Sequence, residues 1–253
     1  MKERIVLKIG TSTLTQGTNK ISRGKIEDIV LQMQQLQKDY DIILVTSGAI
    51  AAAHQFVKIQ KGEAIEVKQA LAAIGQLHLM RLYQEVCQDH DVKIAQCLLT
   101  YHDFNNQDAR ANIRNTIDTL LSFGYIPVIN ENDTVATDEI KFGDNDRLAA
   151  LTAVLCQSSL LVLATDTDGV YDSDPKTNPG AQLLNSIPDI QSIINSVSDS
   201  KSSQGSGGMK SKLEAALLSQ QNNIPTWIIN GIESNFLLSA MKGNYKYTAI
   251  PSS

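Results

Sequence analysis

Cysteine is scarce and poorly placed for cross-linking: the 253-residue chain contains Cys87, Cys97 and Cys156, an odd number with no CxxC pair. Three thiols cannot all pair, and each sits among apolar neighbours, so they read as buried reduced cysteines of a cytoplasmic protein, not as a disulfide framework. Long apolar runs are missing as well. No stretch approaches the roughly 18 apolar residues of a membrane helix, and no signal-peptide core follows the charged N-terminus. Lys and Arg do not cluster, and 22 basic against 27 acidic residues leave a net charge of −5. Nucleic acid is therefore excluded as an obligate partner, because a phosphate backbone demands a dense basic surface. The histidines, His54, His78, His90 and His102, show no metal-ligand spacing. Both GxxxxGK[ST] and GxGxxG are absent, which removes the P-loop and the dinucleotide-binding turn.

What the chain does have is alternation. Short apolar runs at 4–9 (RIVLKI), 42–46 (IILVT), 92–99, 125–129 (YIPVI), 160–164 (LLVLA) and 226–229 read as strands. Between them, helical spacing runs through 26–36 with Ser22 as N-cap, 63–88 with one break, 110–123 closed by Gly124, 146–156 and 209–219. Strand–helix alternation predicts a mainly parallel sheet covered on both faces, within the 42% hydrophobic content available for one core. Residues 196–208 (SVSDSKSSQGSGG) break the pattern and read as a mobile Ser/Gly loop.

In open parallel sheets, ligands bind beyond the carboxyl ends of the strands. Small polar clusters fall at four of those ends: Lys8-Ile9-Gly10-Thr11-Ser12, Thr46-Ser47-Gly48-Ala49, Asn130-Glu131-Asn132-Asp133 and Thr165-Asp166. Lys8 interrupts an apolar strand, where an unpaired structural lysine is costly, so it reads as an anion-binding cation. Gly10 allows close approach of a phosphate, or is a plain turn residue. Gly207-Gly208-Met209-Lys210-Ser211-Lys212 opens a helix, a natural phosphate site with Lys212 about one turn in; a linker entering a helix is the competing reading. Gly143-Asp144-Asn145-Asp146 precedes another helix. One of these residues suffices as N-cap, and with Asn132 and Asp133 the surplus can bind a cationic group such as an α-ammonium. Asp166-Thr167-Asp168-Gly169 looks like the start of a calcium loop but lacks the twelfth-position glutamate.

Lys8-Ile-Gly-Thr-Ser, Thr46-Ser-Gly-Ala, Pro127-Val-Ile-Asn-Glu-Asn-Asp, Gly143-Asp-Asn-Asp and Gly207-Gly-Met-x-x-Lys212 occur in the order and spacing of the glutamate 5-kinases, a branch of the amino-acid kinase superfamily. The chain resembles that family over nearly its whole length. The resemblance implies an αβα sandwich, an α/β fold with a mainly parallel sheet of about eight strands buried on both faces. It implies a glutamate-binding part at about 1–157 and an ATP-binding part at about 158–253, without the C-terminal PUA domain of many bacterial members. By position, Ser47, Asp133 and Asn145 resemble the glutamate-binding residues. Lys8, Gly10, Thr165, Asp166, Ser206, Gly207, Gly208, Met209, Lys210, Ser211 and Lys212 resemble the ATP site. Lys8, Lys212 and the orienting Asp146 resemble the catalytic set. L-glutamate and ATP as substrates, Mg²⁺ carried by ATP with no side-chain metal ligand, proline as feedback inhibitor, a homo-oligomer (dimer or tetramer) and a functional link to glutamyl phosphate reductase follow from the same resemblance. Three departures concern packing and regulation: Ser206 within the family's GTGGM, Ala51-Ala52-Ala53-His54 after TSGAI, and Tyr247-Thr248 for a usual Gly-Thr.

The chemistry expected of such a site needs no base. A glutamate γ-carboxylate, with an ordinary pKa of about 4.3, is already ionised at neutral pH. The obstacle is bringing two anions together, which positioning and positive charge overcome. The alternatives are another acceptor of the same superfamily (acetylglutamate, aspartate, carbamate or a nucleoside monophosphate) and a catalytically silent sensor of proline or nucleotide.

Overall fold

The computed structural model describes residues 2–58, 64–136, 145–175, 177–194 and 208–252. Gly143, Asp144, Ser206, Gly207 and nearly all of the Ser/Gly segment lie outside the described residues. Among the described residues the strands are β1 (Glu3–Ile9), β2 (Tyr40–Thr46), β3 (Ile94–Leu99), β4 (Ile126–Glu131), β5 (Leu160–Thr165), β6 (Thr226–Asn230) and β7 (Tyr247–Ile250). The helices are α1 (Thr11–Thr15), α2 (Arg23–Leu36), α3 (Ala49–Ala53), α4 (Ile65–Asp89), α5 (Gln107–Ser122), α6 (Asp146–Leu155), α7 (Ile190–Ile194), α8 (Met209–Gln220) and α9 (Phe236–Met241).

The strands form one sheet in the order β3-β4-β2-β1-β5-β6-β7, parallel throughout except for β7, which runs antiparallel to β6. Seven strands are described where about eight were expected. After β4 the chain crosses to the other side of β1 to lay down β5, so the order reverses at the centre of the sheet. A crevice at the carboxyl ends of β1 and β5 is the consequence of that switch.

Strand periodicity sorts the side chains into two cores. Ile5, Leu7 and Ile9 of β1 join Ile42 and Leu44 of β2 in a layer covered by α2, α4 and α9. Val6, Ile43, Val45, Leu161 and Leu163 face the opposite layer, built by α5, α6, α7 and α8. Lys8 follows the parity of Val6, so its side chain belongs to the α6–α8 side.

Two local expectations hold in detail. Ser22 caps α2 by accepting from the Lys25 N–H at 3.2 Å, and Gly124 takes φ +76° just past α5. Two expectations are corrected. The helix expected to break once runs unbroken over Ile65–Asp89, because Gly75 serves packing and not a kink. Cys87 and Cys156 are buried free thiols, whereas Cys97 is half-buried, since β3 is an edge strand.

Candidate active site

Asp146 is the first residue of α6 and is fully buried. Its carboxylate bridges two lysines from opposite ends of the chain: Oδ1 lies 2.6 Å from Lys8 Nζ and Oδ2 lies 3.0 Å from Lys212 Nζ. Ser211 donates its hydroxyl to the same Oδ2 at 3.2 Å. Burial alone would raise the Asp146 pKa, but the charges of Lys212 and Lys8 outweigh it and hold the carboxyl at about 2. Two ammonium groups on one carboxylate leave a net positive charge in a dry place, and the α6 N-terminus adds to it. Both carboxylate oxygens are turned to ammonium groups, so Asp146 is not arranged as a metal ligand, and no cluster of three His, Cys, Asp or Glu side chains that could hold an ion occurs among the described residues.

Gly10 stands beside this cluster as N-cap of α1. A Cβ placed on it would lie 3.5 Å from Lys8 Nζ and 3.9 Å from the Ala164 carbonyl of β5. The absent side chain therefore keeps one approach to the lysine open. Gly208 holds the N-cap position of α8, leaving that helix without a side-chain cap; Met209 and Ser211 are half-buried and Lys210 exposed. Thr165, at the end of β5, is buried and donates to Asp166 Oδ1 at 3.3 Å, while Asp166 itself is exposed.

Beyond the ends of β2 and β4 lies a second, amide-rich cluster. Asn145 occupies the N-cap position of α6 but makes no capping bond. Its Nδ2 donates instead to the Thr46 carbonyl at 2.7 Å and to Asn130 Oδ1 at 2.7 Å, and lies 3.3 Å from Ser47 Oγ. The capping interpretation thus fails for the side chain. Asp133 is buried, and burial pushes its carboxyl up to about 6. Of the residues singled out from sequence, Lys8, Gly10, Asp146, Ser211 and Lys212 lie around the ammonium pair, and Ser47, Asn130 and Asn145 around the amides.

Two polar side chains, Gln76 of the amide cluster and Lys25 outside both clusters, escaped sequence reasoning. Asn130 donates to Gln76 Oε1 of α4 at 2.7 Å and links Gln76 to Asn145. The available signal was a polar residue in the apolar stripe Ala72, Leu79 and Tyr83, at the helical spacing of that stripe. Lys25 is as buried as Lys8, yet its three hydrogens meet Asp28 Oδ2 at 2.7 Å, the Glu233 carbonyl at 2.9 Å and the Ile232 carbonyl at 3.1 Å. It clamps α2 to the segment before α9, a structural use.

Residues 3–230 match the model of the amino acid kinase family. This chain belongs to that family. It is 46% identical over 244 residues to a glutamate 5-kinase of Geobacter metallireducens, covering 95% of this chain and 65% of the relative. A glutamate 5-kinase of Haemophilus influenzae is 43% identical over 239 residues, covering 93% and 65% respectively. The chain thus spans just under two thirds of the length of these curated relatives. Among solved structures, a UMP kinase of Ureaplasma parvum superposes over the full length of both chains with a TM-score of 0.68 at 20% identity. An isopentenyl phosphate kinase gives 0.66 at 18% identity, covering 98% of this chain and 99% of its own. These two establish the fold alone. No helix among the described residues is long and apolar enough to cross a membrane.

Proposed function

We propose that this chain phosphorylates the γ-carboxylate of L-glutamate with ATP, forming L-glutamyl 5-phosphate, the first step of proline synthesis. The observation that carries this reading is the Lys8–Asp146–Lys212 bridge, a buried cationic pair assembled at the sheet's switch point. In this reading ATP lies over Gly10, Thr165, Asp166 and the segment from Ser206 to Lys212, with its phosphates toward the two lysines. Glutamate lies against Ser47, Asp133 and Asn145. The first part of the chain, to about 157, supplies the acceptor side, and the remainder supplies the nucleotide side.

The lysines do the work that the reaction requires. An ionised carboxylate attacks the γ-phosphorus, the bond to the β-bridging oxygen breaks, and ADP leaves carrying that electron pair. No proton moves, so no base is needed, and no histidine is among the residues brought together. Lys8 and Lys212 lower the repulsion on approach and stabilise charge in the transferring group. Asp146 holds both ammonium heads in place. Mg²⁺, carried by the ATP phosphates, would screen their charge. Proline inhibition, a homo-oligomer and hand-over of the labile acyl phosphate to glutamyl phosphate reductase belong to the same reading. Exposed Ile74 and Leu77 on α4 support the self-association.

The test is an ATP-coupled assay of ADP release with Mg²⁺ across glutamate, acetylglutamate, aspartate, carbamate and UMP, joined to hydroxamate trapping of the glutamate product with and without proline. Acyl phosphate formed from glutamate alone is expected. Turnover of another acceptor in preference to glutamate would displace the reading, and no turnover with any acceptor would favour a sensor.

A further inference from the structure

Three side-chain amides meet beside the ends of β2 and β4, and two backbone groups fix which way each faces. The Glu131 N–H can only donate, so the Asn130 atom accepting from it at 3.0 Å is Oδ1. The Thr46 carbonyl can only accept, so the Asn145 atom 2.7 Å from it is Nδ2. Asn145 Nδ2 then also meets Asn130 Oδ1 at 2.7 Å, in agreement with both assignments. Asn130 Nδ2 is left facing Gln76, which must turn its acceptor Oε1 toward it, at 2.7 Å. The relay therefore ends in a defined polarity. At one end Gln76 Nε2 is a buried donor, and at the other Asn145 Oδ1 is a buried acceptor; neither has a hydrogen-bond partner among the described residues. Asp133, three positions beyond Asn130, adds a second buried oxygen, Oδ1, also without such a partner.

A buried polar atom left unpaired costs about 1–3 kcal/mol, and such atoms gathered at a sheet's carboxyl edge mark a site made to be filled. Its occupant must bring an acceptor to Gln76 and a donor to Asn145 and Asp133. The head group of an α-amino acid carries both on one carbon. Neither carbamate nor a nucleoside monophosphate carries an ammonium cation beside a carboxylate. We propose that Gln76 is a substrate-selecting residue: its Nε2 donates to the α-carboxylate of the amino-acid substrate, while its Oε1, acting through Asn130, holds Asn145 with Oδ1 turned toward the α-ammonium. This rests on the glutamate reading and adds to it the group that recognises the α-carboxylate.

The test uses Gln76→Glu, which keeps an acceptor for Asn130 and replaces the donor with a carboxylate oxygen. Steady-state kinetics are measured with L-glutamate and with its α-amide, L-isoglutamine, whose carboxamide can donate to the new carboxylate. The KM for glutamate is expected to rise roughly tenfold or more with kcat changed less than about threefold, as loss of a charge-assisted bond made before the reaction requires. The ratio of kcat/KM for glutamate over isoglutamine is expected to fall by roughly tenfold or more. A ratio unchanged within about twofold overturns the inference, whatever happens to kcat. Should circular dichroism show Gln76→Glu unfolded, Gln76→Met removes the donor without adding charge, and the same ratio is expected to fall about fivefold. Wild-type protein that makes no acyl phosphate from glutamate overturns the glutamate reading itself, before any variant is compared, and takes the inference with it.

Discussion

At Gly10 the backbone has φ −82° and ψ 165°, an extended conformation open to any residue. What the position requires is space, since a Cβ would sit 3.5 Å from Lys8 Nζ. That is ordinary contact, so Gly10→Ala should fold normally and yet obstruct the face of the lysine that a phosphate would use. The KM for ATP is expected to rise about fivefold or more, with a melting temperature within about 2 °C of wild type; an unchanged ATP KM would remove Gly10 from the nucleotide site. Asp133 makes a different residue-level case. Burial raises its pKa to about 6, so the native state holds a proton that the unfolded chain has released by then. Stability should therefore fall as pH rises from about 4 through about 6, and keeping the group ionised at pH 7 costs on the order of 3 kcal/mol. Asp133→Asn should be more stable than wild type at pH 7 by about 1–3 kcal/mol, with the gap closing near pH 4 in urea titrations. A substrate ammonium relieves the same cost, so the glutamate KM of the wild type should fall as pH rises from 5 to 7, and this trend should vanish in the variant.

At the scale of elements, the contact of α3 with α4 is set by Gly75. A Cβ there would lie 1.7 Å from the Ala49 carbonyl oxygen and 2.8 Å from the Ala53 nitrogen. Gly75→Ala should separate the two helices and lose about 3 kcal/mol or more in urea unfolding, at the upper end of overpacking effects because backbone atoms are struck. A loss under about 0.5 kcal/mol would contradict this close approach. The same glycine explains a difference between sequence and structure. A glycine inside a helical stretch weakens the helix on propensity alone, and only the neighbouring helix reveals it as a place of contact. The central strands were legible because burial on both faces leaves β1, β2 and β5 nearly continuous apolar runs. Elements held by their surroundings were not. The short α1, α3 and α9 carry little periodicity, and β7 is a four-residue edge strand. In the site, Lys8 was legible because a charge interrupts an apolar strand. Gln76 was not, because its meaning depends on Asn130 reaching it from β4, and Lys25 shows that burial of a lysine does not by itself signal chemistry.

Across the whole molecule, Asp146 ties β1, at the start of the chain, to α8, near its end, through a charge cluster buried in the layer that α6 and α8 share. Such a cluster is not a large source of net stability, because desolvation offsets most of the attraction. Removing its centre is another matter, since two buried ammonium groups would then face each other without a counter-charge. Asp146→Asn should therefore lose about 3–5 kcal/mol at pH 7 along with nearly all turnover. The sign of the pH dependence separates this from a generic packing defect. The folded-state pKa of about 2 lies below the ordinary carboxylate value of 3.8. The stabilisation tied to ionisation is thus fully present above about pH 4 and is lost as pH falls toward 2. Urea unfolding of wild type and Asp146→Asn across pH 2–7 should show a constant difference from neutrality down to about pH 4 and a narrowing one below it. A difference independent of pH would mean that the carboxylate's charge does not hold the two halves of the site together.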